Sequence, residues 1–313
     1  MASAFGKLIL LGEHAVVHGC PALVAGLQRG ATASATADEG QRLQLGDRSC
    51  HRGDGSDLGQ AYDSLLTSMG RSGISVEVSP ELPLGVGLGG SAAISVAIAR
   101  ALLELDASPP EEPRTAQDSQ QVFEASMAWE RIFHGDPSGV DSAAATFGGC
   151  LRYVRGESPE SVKNAVPLVI AVAVAGPAAE TKTMVEQVAK LKSQSPDKFQ
   201  KTLEAIHALV DNAQLALQAG DLSGLGQLLN YNQMLLAGWL LSTPEIEHAV
   251  ALARDAGALG AKLTGAGGGG CVLALAGDRA DAIMNSWKNE GLECFLSKVP
   301  ASIGATTPGG ISA

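Results

Sequence analysis

Gly85-Val-Gly-Leu-Gly-Gly-Ser91-Ala-Ala runs straight into the apolar, helix-periodic segment Ile94 to Leu105. Glycines let the backbone approach a charged group with no Cβ in the way. A helix beginning at Ser91 would aim unpaired N–H groups and its positive dipole end at that group. The stretch therefore predicts a corner that holds phosphate. Gly85, Gly87 and Gly90 also fit G-x-G-x-x-G, but in a dinucleotide fold the strand leads directly into the first glycine. Here the expected strand Ile74 to Val78 is separated from it by Ser79-Pro-Glu-Leu-Pro-Leu84, whose two prolines argue for an irregular connection. A Walker loop fails as well, because no Lys-Ser or Lys-Thr follows the glycines. From these residues alone a plain small-residue turn ahead of a core helix stays open.

Outward from that turn, Lys7 to Leu11 reads as a buried strand, and Ala22 to Leu27 and Ala31 to Ala37 as two more, separated by Gln28-Arg-Gly30. Asp38 to Asp57 is polar and glycine-rich, a surface loop or weak hairpin, and a short helix is expected to reach Met69. Asp106-Ala-Ser-Pro-Pro-Glu-Glu-Pro113 breaks the pattern, and a helix follows from about Arg114 to Phe133. The turn formers His134-Gly-Asp-Pro-Ser-Gly-Val-Asp141 stop it ahead of Ser142 to Phe147 and the strand-like Cys150 to Val154. Val166 to Val174 is a further strand. Beyond it the chain is mostly helical, over Thr181 to Lys192, Lys198 to Ala219, Asp221 to Ala237 and Pro244 to Asp255. It closes with strands at Gly260 to Leu263, Cys271 to Ala276 and Cys294 to Lys298, a helix from Arg279, and a loose tail Ala301 to Ala313. Mixed elements, no internal repeat and a change near residue 160 predict an α+β protein of two domains, 1–160 and 161–313.

Composition bounds the function. The 313 residues are 45% hydrophobic, enough for a sizeable core in an ordinary globule. A net charge of −11 leaves no basic stripe for a nucleic-acid backbone. The five cysteines are widely spread and never form C-x-x-C, which predicts neither a disulfide framework nor a zinc site and fits a reducing compartment. No apolar run approaches the roughly 18 residues a membrane span needs, and the short run after Lys7 is no signal region. The expectation is a cytoplasmic protein with no membrane or nucleic-acid partner, monomer or homodimer.

Three segments surround the phosphate turn with chemistry. Gly6-Lys7-Leu-Ile-Leu-Leu-Gly12-Glu13-His14 sends a lysine into a strand and an acid and imidazole out of it. Glu130-Arg-Ile-Phe-His134-Gly-Asp-Pro-Ser138-Gly-Val-Asp141 puts one carboxylate near a helix end and another at the next helix start. Lys262-Leu-Thr264-Gly-Ala-Gly-Gly-Gly-Gly270 is a second glycine run. Singly each has an ordinary reading: a snorkelling lysine, a helix-capping aspartate, a tight turn.

Together they resemble the three signature motifs of the GHMP kinases. Pro83-Leu-Gly-Val-Gly-Leu-Gly89-Gly90-Ser91-Ala92 keeps all of the second motif, Pro-x-x-x-Gly-Leu-Gly-Ser-Ser-Ala, except its first serine, and the third motif is intact from Lys262 to Gly270. Gly12-Glu13-His14-Ala-Val-Val-His-Gly-Cys-Pro-Ala-Leu and His134-Gly-Asp-Pro-Ser-Gly-Val-Asp141 resemble the mevalonate kinase branch in particular. Asp136 and Ser142 depart from it, since that branch commonly carries Asn at both places. The resemblance spans Lys7 to about Leu275.

It implies a ribosomal-S5-like N-terminal domain, a ferredoxin-like C-terminal domain and ATP between them. ATP phosphates would lie over Pro83, Gly85, Gly87, Leu88, Gly89, Gly90, Ser91 and Ala92, with Gly267 and Gly268 beside them. Ser91 and Glu130 would anchor Mg²⁺. Asp141 would be the base that takes the proton of the substrate hydroxyl, with Lys7 balancing charge on the transferring group. Glu13, His14 and Arg152 would orient mevalonate, a cation such as His14 or Arg152 meeting its carboxylate, and Arg48 to Met69 is the guess for the adenine ring. The alternatives are a GHMP kinase for another small alcohol (phosphomevalonate, homoserine or a sugar), a nucleotide sensor without catalysis, and, weakest, a dehydrogenase.

Overall fold

The computed structural model describes residues 1–83, 85–105 and 115–302. The break expected over 106–113 and nearly all of the expected tail lie outside these residues. Among them, one seven-stranded sheet takes its strands from the first half of the chain and one four-stranded sheet from the second. The first contains β1 (Ala2–Leu11), β2 (Ala22–Ala37), β3 (Arg42–Leu45), β4 (Arg48–His51), β5 (Ile74–Pro80), β6 (Cys150–Tyr153) and β7 (Glu160–Ser161). Helices α1 (Asp57–Ser68), α2 (Gly90–Glu104) and α4 (Val140–Phe147) pack on it, and α3 (Ala116–His134) packs on those three helices. The second sheet is built from β8 (Leu168–Gly176), β9 (Gly260–Thr264), β10 (Gly270–Leu275) and β11 (Cys294–Val299), in the antiparallel order β11-β8-β10-β9. Around it run α5 (Thr181–Gln194), α6 (Pro196–Ala219), α7 (Leu222–Gly238), α8 (Pro244–Asp255) and α9 (Ala280–Asn289).

β2 organises the first sheet. β1 runs along one of its edges, while β5 pairs with Ala31 to Ala37 and β6 with Ala22 to Ala25. Two expected strands are thus one, because Gln28 and Arg29 form a bulge where the β1 register jumps from Phe5↔Gly30 to Gly6↔Leu27. A Cβ on Gly30 would stand 2.0 Å from the Ala4 carbonyl oxygen, so only glycine carries the strand through. β1 also begins five residues before the expected Lys7. Its first turn of sequence is made of small residues with no apolar alternation to give the strand away, and its pairing with Thr32 and Ala33 supplies what side chains do not. The 3₁₀ turn Ala15–His18 and the two-residue β7 were likewise not expected.

Alternation along β1 decides what faces what. Leu8 and Leu10 point into a core cluster shared with β8, β10 and helices α5 to α9. Lys7 and Ile9 point the other way, where Ile9 packs with Val24, Val140 and Ala143 under α4. A third cluster joins α1, α2 and α3 to β2, β3 and β5. The largest cluster therefore crosses the change of sheet that falls between Ser161 and Leu168. Among the described residues no helix is long and apolar enough to cross a membrane.

Candidate active site

Lys7 inherits its direction from β1. Its side chain is 4% exposed and its Nζ lies 2.8 Å from Asp141 Oδ1. The same Nζ donates to the Gly87 carbonyl at 3.3 Å, and the Lys7 amide donates to Leu88 O at 2.8 Å. The glycine turn is in this way laid along the open edge of β1. Gly89 caps α2 at φ 72°, and a Cβ there would lie 3.0 Å from the Lys7 Cβ, so both backbone hand and closeness call for glycine. Asp141 sits in the first turn of α4 behind Gly139. Its Oδ1 is buried against the lysine, yet the side chain as a whole is 38% exposed, so the rest of the carboxylate is open.

Ser91 and Glu130 meet beside this pair. Ser91 Oγ donates to Glu130 Oε1 at 2.5 Å and accepts from Trp129 Nε1 at 3.1 Å. His134 Nε2 is 3.5 Å from the other Glu130 oxygen. Burial pushes the Glu130 carboxyl up to about 7, against the opposing pull of the Ser91 hydrogen bond; Asp141 raises it further and Lys7 lowers it. Among the described residues no group of three or more His, Cys, Asp or Glu side chains gathers as a metal site. Two oxygen donors are nonetheless what a Mg²⁺ that keeps phosphate oxygens and waters asks of a protein.

The second glycine run closes the site from the other half of the chain. Thr264 Oγ1 both accepts from Ile9 N, at 3.0 Å, and donates to Ile9 O, at 3.2 Å. Gly265 faces Gly87 backbone to backbone: a Cβ on Gly265 would lie 3.2 Å from the Gly87 carbonyl oxygen. Gly267 and Gly268, expected beside the phosphates, turn elsewhere. Gly267 abuts the Leu241 backbone, and Gly268 abuts Met184 while donating to Leu241 O at 2.8 Å. Within the run Gly265 to Gly270, expected as a whole beside the turn, the close approach belongs to Gly265 and Gly270.

Three residues expected at the substrate look different in place. Glu13 has no exposed surface: one oxygen is ion-paired with the fully buried Lys262 and the other accepts from Asn232 Nδ2 at 3.0 Å. It joins the two halves and touches no open space. His14 is strained at φ 57° and buried, with Nε2 2.7 Å from Ala266 O. A carbonyl only accepts, so Nε2 carries the proton. Burial lowers the imidazole's pKa more than that hydrogen bond raises it, which disfavours the charged ring that a carboxylate partner would call for. Arg152, on β6 opposite Leu23, donates to Asp211 Oδ1 at 3.1 Å and is not a free cation either.

A cavity of about 550 Å³ opens beside Ser91 and Gly85, with Arg48, Cys50 and Leu58 on its far wall and Phe133 and His134 at its side. It brings part of the expected adenine segment, from β4 and the start of α1, up to the phosphate turn. Phe133 and His134 were missed, although their place just after Glu130 on α3 was a signal. A cavity of about 370 Å³ on the outer side of α3, near Arg131 and Arg155, is lined by none of Lys7, Ser91, Glu130 and Asp141.

Comparison with known proteins accords with this layout. Residues 57–149 match the GHMP kinases N terminal domain and residues 213–293 the GHMP kinases C terminal. The mevalonate kinase of Aeropyrum pernix is 36% identical, over 88% of this chain and 87% of that protein. That of Pyrococcus horikoshii is 32% identical, over 96% and 95%. Among solved structures, L. major mevalonate kinase in complex with R-mevalonate superposes with a TM-score of 0.84 at 32% identity, covering 96% of each chain.

Proposed function

This chain belongs to the GHMP kinase family, and from that premise we infer that it transfers the γ-phosphoryl group of ATP to the 5-hydroxyl of mevalonate. The substrate is drawn from relatives above 30% identity that carry the name mevalonate kinase over most of both chains. One observation carries the chemistry: Asp141, half open, 2.8 Å from a buried Lys7 that itself rests on the carbonyl of the phosphate turn.

In this reading the open part of the Asp141 carboxylate takes the proton as the hydroxyl oxygen attacks phosphorus. Lys7 fixes the acid's direction and offsets charge on the transferring group. The N-terminus of α2 and the amides from Gly85 to Ser91 meet the remaining phosphate charge. Phosphoryl transfer is mostly positioning and charge stabilisation, which such a rigid frame supplies.

Mg²⁺ fits the donor set of Ser91 and Glu130. A buried carboxyl raised to about 7 lacks a full counter-charge of its own, and a divalent ion would provide it. When bound, the ion would draw charge from the phosphate oxygens. Arg152 is the reading's choice for the substrate carboxylate by exchange, since its partner Asp211 is half-exposed and also lies 3.5 Å from His207. The Arg48 side of the 550 Å³ cavity is assigned to the nucleoside.

The test is ADP release with mevalonate, phosphomevalonate, homoserine and galactose offered separately. Turnover on mevalonate is expected. Turnover on another alcohol with none on mevalonate would remove the substrate, and no turnover on any would remove the kinase.

A further inference from the structure

Ser142 departs from its branch of the family and has no part in the chemistry above, yet it is 1% exposed beside Asp141. Its Oγ accepts from Ser126 Oγ at 2.8 Å, and Ser126 Oγ lies 2.7 Å from Ser95 Oγ. Ser95 and Ser126 are both wholly buried. The result is a row of three hydroxyls with one on each of α2, α3 and α4. Ser95 lies one helical turn beyond Ser91, Ser126 one turn before Glu130, and Ser142 directly after Asp141.

We propose that Ser95, Ser126 and Ser142 form a positioning device that fixes the mutual register of the three helices bearing Ser91, Glu130 and Asp141. The inference rests on the kinase reading of those three residues.

The physical case begins with what else lies between the helices. Ala92, Ala125 and Ala145 are small, buried neighbours in the same core. Small apolar side chains bring helices close but resist sliding poorly, since dispersion is non-directional. Hydrogen bonds between hydroxyls have a narrow distance range, and in a buried site each lost partner leaves a polar group unsatisfied. Ser126 donates to Ser142, and the single Ser95 proton is shared between two acceptors, Ser126 Oγ at 2.7 Å and the Ala92 carbonyl at 2.9 Å. At the rim, Trp129 Nε1 and Glu130 hold Ser91 one turn above the Ser95–Ser126 contact, so α2 and α3 are tied at two successive levels. Among the described residues, the Ser126–Ser142 bond is the side-chain hydrogen bond that joins α4 to α3. Arg100 of α2 holds the far end of α4 at the Thr146 carbonyl, so loss of the serine link would loosen the end of α4 that carries Asp141 relative to Glu130.

The experiment compares Ser126→Ala with the triple variant Ser95→Ala, Ser126→Ala, Ser142→Ala. Steady-state rates are taken at a temperature where circular dichroism shows every variant folded, with the parent's turnover on mevalonate as the control for the kinase reading. A parent without turnover overturns that reading, and the inference with it. With an active parent, the single variant orphans the Ser142 hydroxyl and leaves Ser95 only the Ala92 carbonyl, whereas the triple variant removes both hydroxyls and recovers melting temperature. Positioning predicts kcat lowered about ten- to hundredfold in both, because a misplacement of ångström size is costly in transfer chemistry, with KM for ATP and mevalonate within about twofold. The proposal is overturned if the triple variant regains the parent's kcat, if the single variant keeps it, or if the loss falls on KM instead.

Discussion

Two lysine–carboxylate pairs lie within a few residues of each other in this fold and do opposite things. Lys7 and Asp141 have one buried partner and one partly open partner. Lys262 and Glu13 have no exposed surface between them. In the second pair both side chains are tied further: Lys262 Nζ also donates to Leu263 O, and Glu13 accepts from the amide of Asn232. Burial lowers the Lys262 pKa, and Glu13 beside it opposes that fall. A buried pair of this kind gives geometry at a large desolvation cost, whereas a half-open pair retains an oxygen that can react. The same two residue types thus make a clamp in one place and, in our reading, a base with its charge partner in the other.

The largest effect should come from breaking the open pair. Asp141→Asn is expected to lower kcat about 10²- to 10⁴-fold, while calorimetry still detects ATP binding. Activity near the parent's would take the proton-accepting role away from Asp141.

Breaking the closed pair should instead unfold the protein. Lys262→Met strands the Glu13 carboxylate in the core and should cost about 3–5 kcal/mol in urea titrations. Glu13→Gln combined with Lys262→Met should return most of that loss. Equal destabilisation by the single and double variants would mean that packing, not charge, is what the clamp contributes.

Glu130 sharpens the contrast, since it is a buried carboxyl without a lysine of its own. Between its ordinary 4.5 and about 7 the folded protein holds a proton that the unfolded chain releases, so this group's contribution to stability falls as pH rises across that window. A metal needs the ionised form. Affinity for Mg²⁺ and ATP together should therefore fall by up to about tenfold per unit as pH drops below 7, a slope that Glu130→Gln should erase in binding titrations. Smaller still, Gly89→Ala places a Cβ at positive φ and against Lys7, and should cost about 1–2 kcal/mol. At the weak end stands the exposed Arg155–Asp136 pair. Arg155→Ala should change stability by about 1 kcal/mol or less and leave turnover intact.

Local signals carried most of the fold into the sequence. Glycine clusters, apolar periodicity and turn formers located the long helices and the longer strands, left β3 and β4 as a loop or weak hairpin, and the order of motifs around Gly85 led to the site. What was not legible depended on contacts distant along the chain. β2 read as two strands because Gly30 and its polar neighbours look like a turn until β1 is seen opposite them. Glu13 read as a substrate residue because its partner stands 249 residues away. One signal was available: Lys262 lies inside Gly-Ala-Lys-Leu-Thr, an apolar strand whose lone cation had to find a carboxylate. The serine row had none, since three unremarkable serines acquire meaning only when three helices meet.

The two glycine runs approach so closely that a Cβ on Gly265 or Gly270 would lie 3.2 or 3.1 Å from the carbonyl oxygens of Gly87 and Val86. Drift in one loop is therefore admissible only while the other stays bare, although they are encoded far apart. A chimera that borrows the 85–91 turn from a relative should borrow that relative's 264–270 run as well.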